Sequence, residues 1–92
     1  MRLLLVEDEV EIQGFLQRSL TEAGYQVEAA GDARTAERMT SDSVHDVLVV
    51  DLGLPDEDGL SLILRLRQLG LRAPVLTAHP PRARASPSAA AP

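Results

Sequence analysis

Leu3-Leu4-Leu5-Val6 is a continuous apolar run closed by acids. That pattern fits a short strand buried on both faces, as in a parallel sheet. A helix then starts at Asp8 or Glu9. Ile12, Leu16, Leu20 and Ala23 recur at helical spacing, Phe15 broadens the stripe, and Gly24 reads as the stop. Gln26 to Ala30, centred on Val27, fits a second strand. Gly31-Asp32 supplies a turn and an N-cap for a second helix that presents Ala33, Ala36 and Met39 on one face. Ser41-Asp42-Ser43 reads as a loop. Val47-Leu48-Val49-Val50 is the strongest strand signal, β-branched and apolar up to Asp51. Gly53, Pro55 and Gly59 with Asp56, Glu57 and Asp58 mark an acidic loop. A third helix follows from about Leu60 to Leu69, burying Leu62, Ile63, Leu66 and Leu69, and Gly70 stops it. Val75-Leu76 opens a fourth strand after Pro74.

The order is βαβαβαβ. Buried strands alternating with helices predict an α/β fold with a parallel sheet and right-handed crossovers. In such sheets functional groups gather beyond the carboxyl ends of strands, near the point where strand order reverses. Asp8 follows the first strand and Asp51 ends the third, so both fall in that zone. From His79 the composition changes. Residues 79–92 hold four of the chain's six prolines and no apolar residue larger than Ala. Such a stretch buries too little surface to offset its ordering entropy, so it is expected to be a disordered tail. It resembles a frameshifted or artificial end.

Composition narrows the chemistry. Ninety-two residues hold one small domain, and with one Phe, one Tyr and no Trp the core must be aliphatic and Ala-rich. The formal charge of −5 argues against a nucleic-acid surface in this segment. The absence of Cys removes disulfides, thiolate metal sites and a Cys nucleophile. No apolar run approaches the roughly 18 residues of a membrane span, and the opening run lacks a signal-peptide pattern, so a cytoplasmic setting is expected. All nine basic residues are Arg. Any mechanism that requires a lysine cannot run on this polypeptide.

Glu7, Asp8 and Asp51 are candidates for one site. A hard divalent cation such as Mg²⁺ takes oxygen ligands and retains waters, which two or three carboxylates at neighbouring strand ends can supply. The cation relieves their mutual repulsion and screens phosphoryl oxygens, so that an anionic Asp can attack a phosphorylated donor and form an acyl phosphate. Thr77, past the fourth strand, is placed to hydrogen-bond new phosphoryl oxygens. The bland alternatives are solvated loop acids: Asp56 and Glu57 read as a solvated turn, Asp58 as the cap of the third helix, and His45 as a packing or loop residue.

Three separated motifs carry a family resemblance. Leu4-Leu5-Val6-Glu7-Asp8-Glu9 resembles the opening of the response-regulator receiver family, whose first strand ends in an acidic pair. His45 to Leu60 resembles its phosphorylation segment almost residue for residue, and Pro74-Val75-Leu76-Thr77-Ala78 resembles its fourth strand and Thr-Ala pair. The style is that of the OmpR/PhoB class, whose members carry a C-terminal winged-helix DNA-binding domain. The resemblance implies a flavodoxin-like, CheY-like doubly wound sheet. It makes Asp51 the phosphoacceptor, Asp8 the principal Mg²⁺ ligand with Glu7 beside it acting through water, and Gly53 the donor of a backbone carbonyl to the metal. It makes Thr77 the switch hydroxyl and Ala78 the small residue that leaves access. The resemblance implies that the donor is a phosphohistidine on a sensor histidine kinase. The chain is thus expected to be a phosphoacceptor signalling domain rather than an enzyme.

The chain departs from the family in several respects. Residues 1–78 read as a partial receiver domain of strand order 2-1-3-4, lacking the fourth helix, fifth strand and fifth helix, about 30 to 40 residues by domain size. The fifth-strand Lys that pairs with the phosphoryl group has no substitute. Relatives place about four residues between the Pro and the Thr of the fourth strand; here only Val75 and Leu76 intervene. A two-residue shift preserves strand alternation, but Thr77 then reaches its place only by drawing in the Leu71–Pro74 loop. An incomplete sheet exposes one face and an open edge, which favours self-association. Three alternatives remain: a truncated kinase-binding module that takes no phosphate, an inactive fragment, and a phosphatase of the haloacid-dehalogenase type. The last wants Asp-x-Asp after its first strand, where this chain has Glu-Asp-Glu.

Overall fold

A computed structural model describes residues 1–78. The expected boundary at residue 79 and the expected tail lie outside the described residues. Four strands, β1 (Arg2–Val6), β2 (Gln26–Ala30), β3 (Val47–Asp51) and β4 (Val75–Ala78), alternate with three helices, α1 (Val10–Glu22), α2 (Ala33–Asp42) and α3 (Gly59–Gln68). Every strand pair is parallel, in the order β2-β1-β3-β4. The expected alternation and strand order are both present.

Handedness decides which helix covers which face. The chain steps from β1 outward to β2, then back across β1 to β3 and on to β4. Right-handed crossovers in opposite directions put α1 on one face and α2 with α3 on the other. The register sorts the side chains accordingly. Leu4 stands beside Leu48 and Leu48 beside Val75, while Val6 stands beside Val50. These residues meet Ala30, Ala33, Ala36, Leu54, Leu62 and Leu66 in one closed core, with Met39, Ile63 and Val75 packed at its margin. The scarcity of aromatics is met by small residues: Ala33 and Ala36 let α2 approach the sheet closely.

The α1 face is thinner. Leu3 and Leu5 are buried, yet α1 itself contains no buried residue. Val47 and Val49 are half-buried, Phe15 is 60% exposed and Leu76 is 62% exposed. Among the described residues, this face is only partly covered. One helix cannot shield the face of four strands.

Several local readings are corrected. α2 continues through Ser41 and Asp42, which the sequence suggested were loop; polar residues are tolerated there because that turn faces solvent. Ser43 ends the helix, its N–H donating to the Met39 carbonyl. α1 begins at Val10 rather than at Asp8 or Glu9. Leu69 is 65% exposed, because the helix ends at Gln68 and the chain turns away before completing the stripe. Arg67 fastens that turn, donating to the carbonyls of Leu71 (3.1 Å) and Ala73 (2.7 Å). His45 is buried, as a packing residue would be, with Nε2 2.6 Å from Glu28 Oε1. Arg2 joins the same carboxylate at 3.1 Å. The His45 hydrogen bond is the main reason the Glu28 carboxyl is held below its ordinary range.

Candidate functional site

Strand order reverses between β1 and β3, and the crevice beyond their carboxyl ends is where the acids meet. Beyond Val6 the chain stays anchored: the Glu7 N–H donates to the Ala30 carbonyl (2.9 Å), and the Gln13 side chain donates to the Glu7 carbonyl (2.8 Å). Glu7 is buried, and its Oε2 accepts the Glu9 N–H at 2.8 Å. That bond folds the loop and brings half-buried Asp8 round beside it. Asp51 is the last residue of β3 and is 1% exposed. One ligand oxygen from each of Glu7, Asp8 and Asp51 lies within 4.8 Å of the others.

Three carboxylates so close, two of them buried, repel one another strongly when ionised. A hard divalent cation offsets that repulsion, and an all-oxygen donor set matches Mg²⁺ or Ca²⁺ rather than a soft metal. Glu7, Asp8 and Asp51 therefore fit the expected cation.

The β3–α3 loop shapes the other side of the crevice. The Gly53 N–H donates to Asp51 Oδ1 at 3.1 Å, and Gly53 forms an isolated antiparallel bridge with Asp58. Asp58 caps α3, accepting the Leu60 N–H at 3.4 Å, as its position suggested. Leu54 plugs the loop into the core.

The structure adds two features that sequence reasoning missed. Gly59 starts α3 against the backbone of β3: a β-carbon there would fall 2.4 Å from the Asp51 carbonyl oxygen and 2.8 Å from the Leu52 α-carbon. A glycine inside the first turn of a helix is a weak hint of such an approach. The second feature is Asp56, which is an exposed residue of the loop, as expected, but is also tied to a distant helix. Its carboxylate accepts the N–H groups of Ala33 (2.9 Å) and Arg34 (3.1 Å) at the start of α2. These bonds, the Ala33 one first, hold its carboxyl below the ordinary range. One acid among three consecutive acids gives no sequence signal of a cap on a helix 22 residues away.

β4 lies in a register that brings Ala78 opposite Asp51 and Thr77 opposite Val50. Ala78 thus adjoins Asp51, and Thr77 stands one residue earlier. The Leu52 N–H donates to the Ala78 carbonyl (3.2 Å), which ties Ala78 further to the loop.

Residues 3–86 match the response regulator receiver domain. The virulence transcriptional regulatory protein PhoP of Salmonella typhimurium (strain 14028s / SGSC 2262) is 49% identical over 76 residues, 83% of this chain and 34% of that protein. The transcriptional regulatory protein PhoP of Escherichia coli (strain K12) is 45% identical over the same length and shares of each chain. The chain therefore spans about a third of the length of these relatives. Among solved structures, the receiver domain of Francisella response regulator 1452 superposes with a TM-score of 0.80 at 29% identity, covering 83% of this chain and 63% of that one. The response regulator TrrA of Thermotoga maritima, solved in complex with Mg(2+)-BeF, superposes at 0.79 with 29% identity, covering 85% and 70%.

Proposed function

This chain belongs to the response regulator receiver family, and we propose that Asp51 accepts a phosphoryl group from a phosphohistidine of a sensor histidine kinase, with Mg²⁺ held at the acid cluster. Receiver domains generally bind Mg²⁺ at an acidic pocket, and they serve signalling rather than classical enzymatic turnover. The observation that carries the reading is the convergence of Glu7, Asp8 and Asp51 beyond the ends of β1 and β3.

In this reading a carboxylate oxygen of Asp51 attacks phosphorus in line. The P–N bond to the donor imidazole breaks, its electron pair stays on the ring nitrogen, and that nitrogen takes a proton from solvent. The product is an acyl phosphate on Asp51. When bound, Mg²⁺ screens the carboxylates from one another and neutralises charge on the phosphoryl oxygens. Asp8, Glu7, Asp51 and the Gly53 carbonyl would hold the cation. The Gly53 N–H aims Asp51 Oδ1. Thr77 takes the switch role towards the phosphoryl oxygens, and Ala78 leaves the donor room. The setting is cytoplasmic. In this reading DNA is reached through a separate effector domain, in keeping with relatives named transcriptional regulatory proteins.

Incubation with Mg²⁺ and a small-molecule phosphodonor, followed by intact mass measurement, tests this. One phosphoryl group should add, and none should add to Asp51→Asn. Modification that persists in Asp51→Asn would overturn the assignment.

The β4 register favours a second reading, because Thr77 pairs with Val50 and not with the acceptor. The chain would then bind a kinase, α1 being the docking element beside the site, without accepting phosphate. Unchanged mass together with measurable kinase binding separates this reading from the first.

A further inference from the structure

Asp32 and Asp56 share the N-terminus of α2 but belong to different parts of the chain. Asp32 is the helix's own cap, accepting the Thr35 N–H at 2.7 Å. Asp56 reaches in from the β3–α3 loop to accept the N–H groups of Ala33 and Arg34. Between them the two carboxylates satisfy three of the four donors that a helix start leaves open, and the partial positive charge there attracts both. The residue after Asp56 is tethered as well. Glu57 pairs with Arg65 of α3, and Arg65 pairs with Glu37 of α2 at 3.0 Å. The loop between Gly53 and Asp58 is thus fastened at its base by their bridge, inside by Leu54, and at its tip by Asp56.

We propose that Asp56 is a positioning residue for the acid cluster: by clamping the loop tip to α2 it holds Gly53 where its N–H aims Asp51 Oδ1 and where its carbonyl would serve a cation. The proposal rests on the reading of Asp51 as acceptor and Gly53 as a metal-shell residue. The mechanical link itself is independent of that reading. Removing Asp56 leaves the tip held only through Glu57 and Arg65, so the loop loosens on α2 and the Gly53–Asp58 bridge at its base loosens with it. Removing Asp32 weakens the same helix start and leaves the loop fastened. A purely structural capping role would make the two losses equivalent; a positioning role makes them different.

The test compares Asp56→Ala with Asp32→Ala in the whole chain by two NMR measurements. The first is exchange of the Gly53 amide without added metal, taken relative to the Val50 amide in the sheet so that general loss of stability cancels. The second is titration with MgCl₂ alone. Asp56→Ala should speed relative Gly53 exchange several-fold and weaken Mg²⁺ binding several-fold, while Asp32→Ala leaves both near wild type. Equal effects of the two variants, or no effect of Asp56→Ala on Gly53, would overturn the proposal. If Asp56→Ala does not fold, Asp56→Asn keeps one acceptor oxygen and should give an intermediate shift in both readouts. If wild type neither binds Mg²⁺ nor takes phosphate, the acceptor reading fails, and the Gly53 exchange still decides whether the clamp exists.

Discussion

Replacing Gly59 by Ala tests the tightest glycine position among the described residues. The added β-carbon would sit 2.4 Å from the Asp51 carbonyl oxygen, 2.8 Å from the Leu52 α-carbon and 3.1 Å from the Asp51 carbonyl carbon. Ordinary contact begins near 3.4 Å, so α3 and the end of β3 must part by about 1 Å. All three atoms are backbone, so no side-chain rotation relieves the clash. Overpacking of this kind costs about 1–3 kcal/mol. The opposing gain from reduced backbone freedom is about 0.4–1 kcal/mol. The net expectation is a loss of roughly 1–2 kcal/mol, a large share of the stability of a domain this small. The movement also reaches the acid cluster, because Asp51 carries both the displaced carbonyl and the carboxylate proposed as acceptor. A misplacement of about 1 Å can cost on the order of 10²-fold in a positioned reaction. Gly31→Ala is the control, since nothing lies within 4 Å of its added β-carbon. Urea unfolding followed by circular dichroism should show a lower midpoint for Gly59→Ala and little change for Gly31→Ala. Phosphodonor labelling of Asp51 should slow in the first only. A Gly59→Ala protein as stable as wild type, or more so, would refute the reasoning.

Other outcomes follow from the same coordinates. Leu66 is 2% exposed in the α2–α3 core, so Leu66→Ala should cost about 2–5 kcal/mol by denaturant unfolding, whereas Phe15→Ala on the open α1 face should stay within about 1 kcal/mol. The Asp56 carboxyl is held below its ordinary range by the Ala33 and Arg34 N–H groups, so its stabilising contribution is complete above the unfolded carboxylate range of about 3.9 and fades as pH falls through the lower folded value. Unfolding midpoints of wild type and Asp56→Ala should therefore differ at neutral pH and converge in acid; a gap that widens in acid would contradict this sign. Leu76 projects from the outer strand of the described sheet, so Leu76→Lys should reduce concentration-dependent association in sedimentation experiments. Association unchanged by that substitution would place the contact elsewhere.

The order of elements, the parallel sheet and the location of the acids were legible in the sequence, because each rests on local pattern. The β1 and β3 runs are apolar enough to be buried on both faces, and an acid directly after such a run must emerge at the carboxyl edge of the sheet. Once crossovers are right-handed, Glu7, Asp8 and Asp51 have nowhere to go but one crevice. The Asp32 and Asp58 caps were readable for the same reason: cap and helix are adjacent in the chain.

Tertiary structure decided what depends on partners distant in sequence. Leu69 continues the α3 stripe in sequence and is exposed because the chain turns before it reaches the core. Gly59 looked like one turn glycine among several until the packing of α3 on β3 left no room for a β-carbon. Thr77 carries a recognisable motif, yet the β3–β4 register places Ala78, not Thr77, opposite Asp51. Asp56 was indistinguishable from its acidic neighbours, since a carboxylate capping a helix 22 residues away leaves no periodicity to read. Periodicity reports which face a residue prefers. Only the packed chain determines which backbone groups that face will meet.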